Sequence, residues 1–433
     1  MKPRQAELLH AFSMGGALND SAPVAFAEVD GTTRACSPRE TIERVMPLLP
    51  VFGITRIANV TGLDTIGIPV VMVTRPNARS VSVSQGKGAT LDAAKASGLM
   101  EAIEIHHAEH ILAPLLLGSF NELRFRETVA DVASMALSTH RNLTATARFL
   151  WIQGHDLASG APVWLPYEAV HTDYRKPFPE GSGYFLCTSN GLASGNTIDE
   201  AICHGLCEVI ERDSVALWRL KSKEERDRRE LDLSTVTDPH CRALLDLYAS
   251  AGVPVRAWDL TSDVGVPVCC VWIPTAPAAA PFSVNGFHGH GCHPFAPIAL
   301  SRALTEAAQG RLTMIAGVRD DIDPAYYDKR SDPAPAAEAE ADTGDPPAYG
   351  FGRMRSLMGN SSRALIDGML ERLSAAGLDQ VIVVDLTRSE FNVPVARVVV
   401  PGLEGNPNAH LYRPGQRVRR AAGIEPVQGN APS

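Results

Sequence analysis

Residues 89–104, ATLDAAKASGLMEAIE, return 107 positions later as residues 196–211, NTIDEAICHGLCEVIE, with no gap between the two copies. Eight of the sixteen positions are identical, and these include both glutamate pairs, Glu101/Glu208 and Glu104/Glu211. A weaker third copy, SRALTEAAQ at 301–309, sets Glu306 against Glu101 and Gln309 against Glu104. Each copy reads as a helix entered through a Gly-rich turn, QGKG, ASGN or GHGCHP. A period of about a hundred residues is too long for a solenoid repeat. It implies helices of similar origin packed around one site.

The spacing has a chemical consequence. Glu101 and Glu104 are three apart and share a helix face, as do Glu208 and Glu211, with Arg212 adjacent. Leu99, Ile103, Leu206 and Ile210 flank them, which sets the carboxylates at or near the buried stripe. Carboxylates there repel one another and lose hydration, a cost that pairing or a metal removes. Mg²⁺ bridging substrate phosphates is the usual solution with oxygen ligands. A single E-x-x-E is more often an exposed salt-bridging pair. The duplication, each time behind a Gly-rich turn, favours a site.

The rest of the composition narrows the class. The chain has 433 residues, 45% of them apolar, enough for a sizeable core. Forty Lys and Arg against 49 Asp and Glu give a net charge of −9, which argues against a nucleic-acid backbone binder. No apolar run reaches membrane-spanning length, and MKPRQAELLHAFSMGG is not a signal peptide. Eight scattered cysteines with no C-x-x-C read as reduced thiols of a cytoplasmic protein. Strands are expected within 51–84, 145–190 and 254–285, and at 379–386 and 396–404. Helices are expected at 89–117, 197–221, 297–316 and 361–377. The acidic, Pro-rich run 331–349 reads as a flexible loop. The expected division is an N-terminal segment 1–59, a catalytic domain 60–415 and a tail 416–433.

Familiar motifs fail in turn. Gln85-Gly86-Lys87-Gly88 lacks the upstream Gly and following Ser/Thr of a Walker loop, although Lys87 before a helix N-terminus still suits an anion. His106, His107 and His110 belong to no H-E-x-x-H and read as a partly exposed helix face. His288, His290, Cys292 and His293 read as a loop near the active site, and Cys203 and Cys207 as buried small residues. G-x-S-x-G and G-x-G-x-x-G are absent.

GKGATLDAAKASGLMEAIE, SNGLASGNTIDEAICHGLCEVIERD, ALTEAAQGRLTMIAGVRDD and VPVARVVVPGLE, in that order, resemble the YcaO family over about residues 60–405. The resemblance implies an α+β fold with repeated strand–helix units around a central ATP/Mg²⁺ site. It implies phosphorylation of a peptide backbone amide oxygen by ATP, then replacement by a nucleophile. A neighbouring Cys, Ser or Thr side chain would give an azoline, and a sulfide equivalent a thioamide. By match to the family's motifs, Glu101, Glu104, Glu200, Glu208 and Glu211 would hold Mg²⁺. Lys87, Ser97, Asn196, Arg212, Arg311 and Arg319 would bind ATP. No general base is identified.

Two departures bear on the branch. Glu104 is followed by Ile105 where the family usually has Arg, and the chain ends IEPVQGNAPS without the Pro-x-Pro-x-Pro tail of many azoline formers. That ending, no fused leader-gripping domain before residue 50, and MEAIEIHHAEH are similar to the branch that works with a TfuA-like partner and forms thioamides. The expected partners are a peptide or protein substrate, a TfuA-like protein and a sulfur donor, with no nucleic acid or membrane, and the family implies a homodimer. Azoline formation is the alternative, and an accessory ATP-binding role for another modifying enzyme is a third reading.

Overall fold

The computed structural model describes residues 24–29, 31–274, 286–319 and 349–424. Of the run expected to form a flexible loop, 331–348 lies outside these residues. Three strand–helix units build the molecule, and in each the helix follows its strand after three residues. Strand β1 (Arg56–Asn59), β2 (Val70–Thr74) and β3 (Val83–Lys87) form an antiparallel sheet behind helix α2 (Leu91–Glu109). Helix α1 (Pro38–Val45) packs against α2.

The second unit has a larger sheet. Strands β4 (Leu115–Ser119), β5 (Arg148–Asp156), β6 (Pro162–Pro166) and β7 (Leu192–Ser194) join β11 (Ile382–Asp385) and β12 (Val395–Val399). The order is β4-β5-β11-β12-β7, with β6 also on β5. Helix α3 (Ile198–Trp218) follows β7 and lies on β12. The third unit pairs β8 (Arg256–Asp259), β9 (Val268–Ile273) and β10 (Phe287–Cys292) antiparallel. Helix α5 (Ala296–Ala316) follows β10, with α4 (Pro239–Ser250) packed on it. Helix α6 (Ser362–Ala375) covers α3.

The repeated residues explain the repeated geometry. Thr90 and Thr197 are N-caps whose hydroxyls accept from the Ala93 and Glu200 amides, satisfying donors that the first helical turn leaves unpaired. Leu99, Leu206 and Leu304, equivalent in the three copies, are all fully buried, each in the core beneath its own helix. Close approach does the rest. A Cβ on Gly86 would sit 1.9 Å from the Ala94 carbonyl oxygen, and one on the equivalent Gly291 2.1 Å from that of Ala299. Strand and helix backbones therefore touch directly.

The four expected helices form, three with shorter ends and α5 starting one residue earlier at Ala296. Helix α2 stops at Glu109 rather than 117, because Pro114 lacks an N–H and biases its neighbour away from helix. Leu115–Ser119 then pair with Ile152–Arg148 at the sheet edge. The His288–His293 run, expected as a loop, lies largely in β10. FHGHGC has no β-branched residue to announce a strand. Its glycines are there to admit α5.

The three units interlock cyclically. Helix α2 packs not only on β3 but on β7 of the second unit, α3 on β10 of the third, and α5 on β3 of the first. Substituting Gly86→Ala will lower stability by about 2 kcal/mol or more through overpacking. Gly62→Ala, whose new Cβ meets nothing within 4 Å, serves as control. Thermal unfolding of the two variants checks this.

Candidate functional site

Glutamates two residues on from the buried leucines are turned about 200° round the helix. They therefore look away from each helix's own core and toward the neighbouring unit. Strand-end backbone or side chains hold Glu101, Glu104, Glu211 and Glu306. Gln85 N–H donates to Glu101 Oε1 at 3.3 Å, and its equivalent, His290 N–H, to Glu306 Oε1 at 3.1 Å. The last residue of each strand reaches the helix of another unit. Ser194 Oγ donates to Glu104 Oε2 at 2.7 Å, Cys292 N–H to Glu211 Oε2 at 2.9 Å, and Lys87 Nζ to Glu306 Oε2 at 2.6 Å. The interlock thus gathers Glu101, Glu104, Glu208, Glu211 and Glu306 around one recessed chamber.

The electrostatics record the crowding. Burial lifts the Glu101 carboxyl to about 7, against the Gln85 N–H and the Lys87 and Arg319 charges. Glu104 stands well above the usual range through burial and the charge of Glu101. Burial raises Glu208 too, moderated by Arg212, Arg397 and Arg302. Burial and Glu306 raise Glu211 to about 7. For Glu306 burial works in the same direction, but Lys87, then His290 and Arg212, overcome it and hold that carboxyl low. Arg212 would lose affinity for its proton by burial, yet Glu208, Glu211 and Glu306 keep it firmly cationic.

The donor set suits a metal–polyphosphate assembly. The carboxylates are hard oxygen ligands for a divalent cation. The Nε atoms of Arg212 and Arg302 are buried with no hydrogen-bond partner, as phosphate-seeking donors are. Among the described residues no three of these glutamates bring carboxylate oxygens within 4.8 Å of one another.

Other sequence candidates fall in different places. Ser97 is half-buried one turn before Glu101 on the same face. The charge of Arg319 is felt at Glu101. Asn196 and Glu200 sit at the start of α3, bound to the N-terminal segment. Asn196 Oδ1 accepts from Thr41 Oγ1 and Arg44, while Glu200 pairs with Arg34 at 2.9 Å and accepts from Ala35 N–H. Eight residues put Glu200 about 12 Å along the helix from Glu208, too far to share one cation. Arg311, five residues past Glu306, points to another side of α5 and pairs with Asp64 at 3.1 Å. The structure does not bring Glu200 or Arg311 to the glutamate chamber.

Sequence reading gave Arg302 no role and left Glu306 as a repeat match only. Arg302 also meets His204 Nε2 at 3.0 Å. Its place one turn before Glu306 was the available signal. Among the described residues, one trio of candidate metal ligands converges, His106, Glu109 and His110. There Arg75 pairs with Glu109, whose other oxygen accepts from Arg79 N–H, Ser80 N–H and Ser80 Oγ. A guanidinium already fills the cation's part.

Fold and chamber together define a nucleotide- and metal-binding α+β protein built on three strand–helix units. The family model described as YcaO cyclodehydratase, ATP- and Mg²⁺-binding, matches residues 85–404. An uncharacterized protein in the tfuA 3′ region of Rhizobium leguminosarum bv. trifolii is 36% identical over 393 residues, 89% of this chain and 91% of that protein. YcaO from Methanopyrus kandleri, bound with AMPPCP and Mg²⁺, superposes with a TM-score of 0.68 at 24% identity, covering 91% of this chain and 99% of that one. A heterocyclase in complex with substrate and cofactor gives 0.72 at 22% identity, covering 89% of this chain and 54% of the heterocyclase. The chain belongs to the YcaO family, and ATP and Mg²⁺ are its cofactors. Among the described residues no helix is long and apolar enough to cross a membrane.

A carboxyl raised by folding ionises first in the unfolded chain, so its contribution to stability falls as pH climbs from about 4.5 toward about 7. Nucleotide-free protein will therefore melt lower at pH 8 than at pH 6, and Glu101→Gln will reduce that difference. The same variant will raise Tm at pH 8 by roughly 1–3 °C and lose stabilisation by Mg·ATP. Scanning fluorimetry across pH reads all three.

Proposed function

We propose that this protein replaces a peptide backbone amide oxygen with sulfur, an ATP-dependent thioamide formation carried out with a TfuA-like partner and a sulfur donor. The observation that carries the reading is the 36% identity, across nine-tenths of both chains, to a protein in a tfuA 3′ region.

When bound, ATP with Mg²⁺ supplies the phosphoryl group that turns an amide oxygen into a leaving group. Glu101, Glu104, Glu208, Glu211 and Glu306 are the residues that would hold Mg²⁺. Arg212 and Arg302, each with a buried unpaired Nε, would donate to phosphate oxygens and offset their charge. Lys87 keeps Glu306 ionised and adds charge at the same end. Ser97 and Arg319 border the Glu101 side. Glu200, about 12 Å from Glu208 along α3, and Asn196, just before the helix, would lie toward the nucleoside end rather than the metal. Arg311 holds α5 in place through Asp64.

Azoline formation is the second reading, favoured by the cyclodehydratase description of the family and by the heterocyclase likeness. The two differ in product mass. Candidate peptides co-expressed with this chain and a TfuA-like protein will gain one sulfur and lose one oxygen. Loss of one water without sulfur gain would establish the azoline reading instead. An unmodified peptide, with the change restored by a different enzyme that this chain only stimulates, would mean an accessory role. Glu104→Gln or Glu208→Gln will lower product to background, a loss of at least about 100-fold, while leaving the circular dichroism spectrum unchanged.

A further inference from the structure

Arg397 of β12 is a buried charge that the chamber described above leaves unexplained. It is 3% exposed, and its Nη2 donates to the Thr188 carbonyl at 2.7 Å. Its Nε and Nη1 are buried with no hydrogen-bond partner. Two such donors on a cation mark a place for an anion, since leaving them unpaired is costly.

The surroundings define its size and polarity. Arg397 lines a small, partly open cavity of about 50 Å³ together with Thr188, Asn190 and Val209. This holds a small number of water-sized particles, far less than a nucleotide or a peptide residue. Asn190 Oδ1 is also buried without a partner, so the lining includes one unpaired acceptor beside the cationic donors. Val209 adjoins the chamber residue Glu208 in sequence, and the Arg397 charge offsets part of the rise that burial gives the Glu208 carboxyl. Cys187, half-buried, and His171 lie within reach of the Arg397 charge; Cys187 Sγ donates to the His171 carbonyl at 3.3 Å, and His171 Nε2 is buried and unpaired. Glu404 also lines the cavity, but Tyr412 Oη, Gly415 N–H and Val418 N–H donate to its carboxylate.

We propose that the Arg397 cavity is the binding site for hydrosulfide, the small anionic nucleophile of the reaction. This rests on the thioamide reading. Hydrosulfide accepts from Nε through a lone pair, and Asn190 Oδ1, an acceptor in the same lining, suits its single S–H. The overall exchange balances. The amide carbon–oxygen double bond gives way to carbon–sulfur, the oxygen leaves with the phosphoryl group of ATP as inorganic phosphate, and the hydrosulfide proton ends on that phosphate. Arg397 is a binding residue for the nucleophile, and its guanidinium offsets the charge brought in beside Glu208.

Bromide, a monoatomic anion of similar size, is the probe. Crystals of the full chain soaked in sodium bromide will show one anomalous peak in the cavity against Arg397 Nε. The peak will vanish in Arg397→Met, while surface bromides persist in the same crystals. Sodium hydrosulfide will displace it from wild-type crystals, and sodium phosphate at the same concentration will not. An empty wild-type cavity, a peak indifferent to hydrosulfide, or tetrahedral density from phosphate would overturn the proposal. In turnover with sulfide as donor, Arg397→Lys will raise the KM for sulfide about tenfold and leave the KM for ATP unchanged. A rise confined to the KM for ATP would contradict it. The soak involves no peptide, ATP or turnover. A peptide that never gains sulfur would therefore overturn the thioamide reading while bromide and hydrosulfide decide the cavity.

Discussion

Mutual repulsion among five recessed carboxylates is the constraint that organises this molecule. Glu101, Glu104, Glu208, Glu211 and Glu306 arrive from three helices, and burial pushes four of them above their ordinary range. Nothing in a hydrophobic core would gather them. The strand ends do so by a cyclic exchange in which each unit's last strand residue binds a glutamate of another unit. The arrangement is paid for by what enters the chamber, because a divalent cation and its phosphates turn a destabilising charge cluster into a binding site.

The same exchange explains why helix and strand approach so closely. Gly86 and Gly291 let helix backbones rest on strand backbones, and this contact sets how far each glutamate projects. Packing and chemistry share one repeated element. The third unit has diverged most in sequence, yet His290 and Glu306 reproduce the contact of Gln85 and Glu101. Lys87 gives Glu306 a different character, ionised and paired where its equivalents are held toward their neutral forms.

Much of this was legible in the residues. The repeat of Glu101 and Glu104 at Glu208 and Glu211, with leucine and isoleucine at matching positions, specified helices, buried faces and a shared site. Periodicity could not show which helix meets which strand, because cyclic packing is a property of three distant segments. Glu200 and Arg311 carry the right chemistry in the right motifs, but their partners, Arg34 and Asp64, lie far away in sequence. Arg302 needed only its one-turn spacing from Glu306. Strand β10 hid behind glycines and histidines that mean close approach rather than a loop. Arg397 sits in a Val-rich strand, where only the fold reveals that two of its donors are buried and unpartnered.

The central claim is that the repeated helices exist to hold metal and polyphosphate together. A crystal structure with Mn²⁺ and a non-hydrolysable ATP analogue tests it most directly through the anomalous signal of manganese. The account predicts manganese bridging phosphates to glutamates from both α2 and α3, with Arg212 and Arg302 on phosphate oxygens. Manganese confined to His106, Glu109 and His110, with the glutamate chamber free of metal, would contradict it.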